Sequence, residues 1–85
     1  MREITEDEAD RLAGEVKPPL LAKQEHEATE SAVALKKLPG GYLLGVSCDT
    51  TGRFQLFSIA RESEALSAYE RHVRQMELTG TPFFE

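Results

Sequence analysis

Apolar residues recur at helical spacing near the start of the chain. Thr5 and Glu8 form a capping box, in which the Thr hydroxyl accepts a hydrogen bond from a backbone amide three residues later and the Glu carboxylate reaches back. The apolar positions that follow are Ala9, Leu12, Ala13 and Val16. Pro18 and Pro19 end the pattern, because a residue before proline is disfavoured in helical conformation. We predict a first helix over residues 6–16.

Residues 20–38 have a weaker pattern that fits two structures. Their composition of Ala, Glu, Lys, Gln and Leu favours a helix, although its apolar stripe is interrupted by polar residues. The alternative is a strand over residues 31–37, with Val33 and Leu35 on one face and Pro39-Gly40-Gly41 as the following turn. The composition favours the helix over the strand.

Two apolar segments, residues 42–48 and 53–60, flank the turn sequence Asp49-Thr50-Thr51-Gly52. Asp in the first position and Gly in the fourth fit a type I turn followed by a left-handed glycine, a geometry that pairs Asp49 with Arg53. In this register the broad apolar face of the hairpin carries Tyr42, Leu44, Val46, Cys48, Phe54 and Leu56. The second face carries Leu43, Gly45, Phe57 and Ile59. Both faces are therefore expected to need a cover.

The last predicted element is an amphipathic helix over residues 63–78. Its apolar stripe consists of Leu66, Tyr69, Val73 and Met76. Gly80 fits the left-handed position that ends a helix. We expect this helix to lie across the broad hairpin face, and the apolar Phe83-Phe84 tail has two alternatives, docked on the core or free.

These elements predict one small α+β domain over residues 1–85. An antiparallel β-hairpin packs against the C-terminal amphipathic helix, with residues 31–37 as a possible third strand under the alternative given above. The N-terminal segments are expected to be helical, with two alternatives for their place: they cover part of the second hairpin face, or the helix of residues 1–18 extends from the body and is loosely attached.

The charge of the chain limits its partners. It has 15 acidic and 10 basic residues, a net charge of −5, and the acids concentrate in the first third. An acidic chain without a basic cluster repels phosphate backbones, which argues against direct nucleic-acid binding.

No apolar run approaches the roughly 18 residues of a membrane span, and the acidic start is unlike a secretory signal. The expected location is the cytoplasm, where a single cysteine stays reduced.

Three short motifs contain residue types that catalysis or metal binding uses. The turn sequence Asp49-Thr50-Thr51-Gly52 resembles the Asp-Thr-Gly loop of aspartic proteases but has one residue more. The residue preferences of hairpin turns explain this sequence without a catalytic role. His26 and Glu30 are four residues apart, but a helical zinc motif needs a second His. Cys48 is expected on an apolar face, where burial raises a thiol pKa, and His72 at the edge of the last helical stripe. We expect no catalytic residue, metal or cofactor.

By elimination, the sequence predicts a non-catalytic interaction protein, an adaptor or inhibitor that binds the surface of a larger protein. Small acidic bacterial or phage proteins that block nucleic-acid-handling machinery share this general character. The predicted binding residues are Leu43, Gly45, Phe57 and Ile59 on the second hairpin face, with Glu6, Asp7 and Asp10 directed at a basic partner surface. The alternative is a self-associating module, a homodimer formed through that hairpin face. A minimal enzyme or metal protein built on Cys48 and the histidines is the third class.

Overall fold

The computed structural model describes residues 1–15 and 17–84. Its elements are β1 (Arg2–Ile4), α1 (Glu6–Ala13), β2 (Leu20–His26), a short 3-10 helix (Glu27–Thr29), β3 (Ser31–Leu38), β4 (Gly41–Cys48), β5 (Arg53–Ile59) and α2 (Glu62–Thr79). The strands form one five-stranded antiparallel sheet in the order β1-β5-β4-β3-β2. The α+β class is confirmed, with a larger sheet than the predicted hairpin.

The helix predicted over residues 20–38 is wrong, and the strand alternative is right for the second half of this segment. Val33 and Leu35 of β3 are buried on one face of the sheet, as the strand alternation requires. Pairing of β3 with β4 and β2 along its length satisfies its backbone and overrides a helix-favouring composition. β2 escaped detection because it is an edge strand whose exposed side chains show no alternation.

The predicted hairpin between β4 and β5 exists, but its register is shifted by one residue. Cys48 pairs with Arg53, so residues 49–52 form the loop. Gly52 has the predicted left-handed conformation, with φ +70°, and its amide donates to the Asp49 carbonyl at 3.2 Å. The predicted pairing of Asp49 with Arg53 is wrong, because the Asp49 amide donates to the Glu30 carbonyl at 3.0 Å instead.

A shift of one residue reverses the two faces of β5. Phe57 lies beside Leu44 in the larger buried cluster, on the side of the sheet that faces α2. Leu56 lies opposite Gly45 on the opposite side of the sheet. The α2 face is defined here as the side of the sheet that packs against α2. Its buried cluster consists of Val33, Leu35, Leu44, Val46, Phe57, Ile59, Ala65, Ala68 and Met76.

The stripe by which α2 lies on the sheet matches the predicted one in part. Met76 is buried, and Tyr69 and Val73 pack against the core of the α2 face, but Leu66 does not. Ala65, Ala68 and His72 are buried, whereas Leu66 is 46% exposed. Small alanine side chains let the helix approach the sheet closely, which favours this rotation over one that buries the leucine. The helix begins at Glu62 and ends before Gly80, whose φ of +85° confirms the predicted left-handed position.

The C-terminal tail is docked on the core. The ring of Phe83 stacks on His72, with centroids 4.1 Å apart. Phe84 packs against the core of the α2 face, and the centroid of its ring lies 4.5 Å from the Arg53 guanidinium carbon. Of the two alternatives for the tail, docking is therefore the one the structure adopts.

The opposite side of the sheet, the α1 face, has a smaller core. Its buried cluster consists of Ile4, Ala9, Leu38 and Leu43, with Ala13 and Leu56 packed against it. Thr5 caps α1 as predicted, accepting from the Glu8 amide at 3.2 Å. The helix ends at Ala13, earlier than predicted, and Val16 of its predicted stripe lies outside the described residues.

Candidate protein-binding surface

The helix α1 covers only part of the α1 face. It packs near the turn between β3 and β4, where it covers Leu38 and Leu43. With eight residues, the helix is too short to reach the opposite end of the sheet, near the loop of residues 49–52. This uncovered end contains a depression of about 280 Å³, called here the groove.

The groove has a floor of small side chains. They lie on the neighbouring strands β3 and β4, where Ala34 pairs with Gly45 and Ala32 pairs with Ser47. A Cβ atom at Gly45 would lie 3.4 Å from Leu56 Cδ2, so a larger residue there would fill part of the depression. The concavity therefore follows from residue size at four adjacent positions.

The two walls of the groove differ in chemistry. Phe54 and Leu56 of β5 form an apolar wall, and the Phe54 side chain is 51% exposed. Lys23 of β2 and Lys36 of β3 stand on the opposite side of the floor. Lys23 Nζ lies 2.9 Å from a Glu25 oxygen, whereas no carboxylate partner of Lys36 is found in the described part of the chain. An amphipathic surface with apolar and acidic groups would complement both walls.

The three predicted acidic binding residues are all exposed on α1. Glu6, Asp7 and Asp10 lie on the same side of the sheet as the groove. Glu8 is different, because it is half-buried and its Oε2 lies 2.7 Å from Arg2 Nη1. The α1 face thus combines an acidic helix with a groove that has two lysines on one wall.

The structure separates the four apolar residues that were predicted to form one binding surface. Leu43, buried beneath α1, and Gly45, in the floor, both line the groove. Phe57 and Ile59 belong to the core of the α2 face, where they are 2% and 1% exposed. The prediction that these four residues share one face was wrong, because it was based on the pairing of Asp49 with Arg53, which differs by one residue from the observed register.

Apart from Leu43 and Gly45, sequence reasoning missed the residues that form the groove. Phe54 was predicted to lie on the broad hairpin face, beneath the C-terminal helix. Lys23 and Lys36 were not predicted to belong to a binding surface. The alternation of Ala32 and Ala34 with Val33 and Leu35 was the available signal, since it gives β3 one large-residue face and one small-residue face. That signal is meaningful only once residues 31–38 are taken as a strand.

Cys48 lies at the sheet end near the loop and is 1% exposed. Its thiol donates to the Thr29 carbonyl at 3.6 Å. Hydrogen bonds from the Ser31 and Thr51 side chains lower the pKa of the Cys48 thiol below its ordinary value, although burial acts in the opposite direction. The predicted rise of this pKa is therefore wrong, because burial was considered without the neighbouring hydroxyls.

His26 does not contact Cys48 directly in this network. Its Nδ1 lies 3.3 Å from Thr29 Oγ1, which in turn lies 2.9 Å from Ser31 Oγ and also donates to the Gly80 carbonyl. These bonds connect the 3-10 helix to β3 and to the end of α2. With its sulfur buried, Cys48 has no surface at which a substrate would meet it.

His72 was predicted to lie at the edge of the helical stripe, but it is fully buried. Its Nδ1 lies 2.8 Å from the Ala68 carbonyl, which accepts a hydrogen bond from the ring. Its Nε2 has no hydrogen-bond partner among the described residues. The ring lies between Phe83 and Phe57, on the side of the sheet opposite the groove.

Neither a metal-binding cluster nor a membrane-spanning helix occurs in residues 1–15 and 17–84. No group of three or more His, Cys, Asp or Glu side chains there has an arrangement that would hold a metal ion. No helix in the same residues is long and apolar enough to cross a membrane.

No protein-family model, no curated protein and no solved structure matches the chain. The geometry of the α1 face is therefore the basis for assigning a function.

Proposed function

We propose that this is a non-catalytic interaction protein, an adaptor or inhibitor that binds a larger protein through the α1 face. The observation that carries the proposal is the uncovered end of this face, where Phe54 stands exposed beside a floor of small residues. Large exposed aromatic side chains next to a concave surface are typical of protein interfaces, in which they act as anchors.

A protein partner is favoured over a small molecule by the shape of the groove. Its floor is the surface of a sheet, and its volume of about 280 Å³ is small for a pocket that encloses a ligand. A projecting apolar group of a partner would fit between Phe54 and the floor. Acidic groups beside it would reach Lys36, while a basic region would contact the acids of α1.

Affinity capture from the native host, followed by mass spectrometry, tests the proposal with two matched variants. Phe54→Asp places a charge on the groove wall, and Leu66→Asp makes the same kind of change at a 46% exposed position of α2. We expect the partner to be captured by the wild type and by Leu66→Asp, but lost with Phe54→Asp. Equal capture by both variants, with circular dichroism showing both folded, would exclude the groove.

The acids of α1 are tested by the kinetics of binding to the captured partner. The triple change Glu6→Gln, Asp7→Asn and Asp10→Asn spares the Glu8 capping residue and its ion pair with Arg2. We expect it to slow association more than it speeds dissociation, because exposed charges mainly steer encounter. Association rates that do not change between about 50 and about 500 mM salt would contradict this electrostatic part.

A further inference from the structure

The outer edge of β2 is a second surface without a cover. Within the described residues, no strand pairs with this edge of the sheet. Gln24 is exposed on the α2 face, and Lys23 and Glu25 are exposed on the α1 face, so the middle of the strand is open on both sides, although the end of α2 lies next to His26. The outward backbone amides and carbonyls of β2 are therefore available to another strand.

The charges along β2 are complementary to themselves in one register. When two identical antiparallel strands meet about a two-fold axis perpendicular to the sheet, one residue lies opposite its own copy. With Gln24 at the axis, Lys23 of each copy lies opposite Glu25 of the other. With Lys23 or Glu25 at the axis, like charges would be opposed, which is unfavourable.

The backbone of β2 favours the same centre. Its pairing with β3 is irregular between Leu20 and Ala22 and regular over residues 22–26. Gln24 is the midpoint of this regular stretch. The exposed side chains of Leu20 and Leu21 lie just beyond it, where an antiparallel copy would place its 3-10 helix.

We propose that two copies of this chain join through β2, with Gln24 opposite Gln24, so that their sheets form one continuous sheet. Each Lys23, which lies 2.9 Å from Glu25 of its own strand, gains Glu25 of the second copy as a further ion-pair partner. Because the two-fold axis is perpendicular to the sheet, both grooves lie on the same surface of the dimer, side by side. The dimer therefore presents a bivalent version of the surface assigned above, and a partner with two equivalent sites gains avidity from it.

Sedimentation equilibrium on the purified protein tests this interface without any partner. We expect a reversible dimer within about 1 µM to about 1 mM protein. Lys23→Glu and Glu25→Lys should each weaken it about tenfold or more, because two attractive cross-strand pairs become repulsive. Arg74→Glu, the same charge change on the exposed outer side of α2, is the matched control and should leave the dimer unchanged.

Charge exchange separates this register from any other interface. The double variant Lys23→Glu/Glu25→Lys restores both pairs and should dimerise like the wild type. An equimolar mixture of the two single variants should form heterodimers, since each acidic strand then meets a basic one. A protein that stays monomeric over the whole concentration range would overturn the proposal. So would a dimer that ignores these charge changes but is lost with Phe54→Asp, which would place the interface in the groove.

Discussion

The two faces of the sheet use the same strands in opposite ways. On the α2 face, large residues such as Leu35, Leu44 and Ile59 are buried at 0 to 1% exposure beneath a long helix. On the α1 face, the neighbouring positions hold residues such as Ala34 and Gly45, and a short helix covers only one end. Stability is therefore concentrated on one face, which leaves the other free to change its surface without loss of the fold.

The largest expected difference between the faces comes from two phenylalanines on β5. Phe57 points into the core of the α2 face and Phe54 into the groove. Phe57→Asp should prevent folding, because it buries an unpaired charge and removes an aromatic ring from the core. Phe54→Asp should change the free energy of unfolding by no more than about 0.5 kcal/mol, as expected of an exposed position. Urea denaturation followed by circular dichroism measures both.

A milder pair of changes keeps this comparison quantitative if Phe57→Asp does not express. Phe57→Ala should cost about 3–5 kcal/mol, and Phe54→Ala well under about 1 kcal/mol. Equal destabilisation by the two alanine changes would mean that both faces are true cores, and that the groove is closed in solution.

The same two residues show what the sequence could and could not predict. The hairpin, its turn glycine and the C-terminal helix follow from turn chemistry and periodicity, because those signals are local. The register does not follow, since Asp49 and Gly52 are compatible with loops of different length. Both faces of β5 are apolar, with Phe54 and Leu56 on one and Phe57 and Ile59 on the other, so hydrophobicity alone could not select the buried face.

The candidate site depended on that selection and was therefore only partly predicted. The exposure of Glu6, Asp7 and Asp10 could be predicted, because a capping box and Ala9 fix which side of α1 faces the sheet. The groove could not be predicted, because half of its floor belongs to β3, a segment whose composition favours a helix. Pairing with β2 and β4 makes residues 31–38 a strand, and the local signals for it, the turn at Pro39-Gly40-Gly41 and the alternation of residues 32–35, were weaker than the helix-favouring composition.

An intermediate effect is expected from removing the cap of α1. Thr5→Ala deletes the hydroxyl that accepts from the Glu8 amide and should lower the free energy of unfolding by about 1 kcal/mol. Hydrogen exchange should accelerate in β1 and α1 but not in α2, because the two helices lie on different faces. Thr79→Ala is the control, since its hydroxyl accepts no helix amide and donates to the Gln75 carbonyl instead. A loss spread evenly over both helices would mean that the faces are not independent.

The smallest effect is expected at alkaline pH, at the edge of the α2 face. Burial, followed by the charge of Glu62 and a hydrogen bond to it at 3.3 Å, raises the pKa of Tyr42. Burial, followed by the charge of Glu77, raises the pKa of Tyr69. Unfolded tyrosines lose their protons near pH 10, before the folded ones, so stability should fall as the pH rises above about 10.

Ultraviolet absorbance titration of the phenols measures this shift. Glu62→Gln removes the charge next to Tyr42 and should lower the pH at which this phenol ionises. Glu70→Gln removes a charge from the exposed side of the same helix and should have no effect. Identical titrations for the wild type and Glu62→Gln would contradict the role of Glu62.

The place of β1 in the sheet has a consequence for the order of folding. Strands β2 to β5 form a meander in which each strand pairs with the next in sequence, whereas β1 pairs with β5, so that Arg2 meets Ser58. Closing this long loop has the largest entropy cost of any strand pairing in the sheet, and proteins form such distant contacts slowly. We therefore expect the meander and α2 to assemble first, and β1 to dock last together with α1. A molecule with β1 and α1 detached would leave Leu38 and Leu43 without their cover, so its groove would extend further along β3 and β4 while the α2 face remained closed.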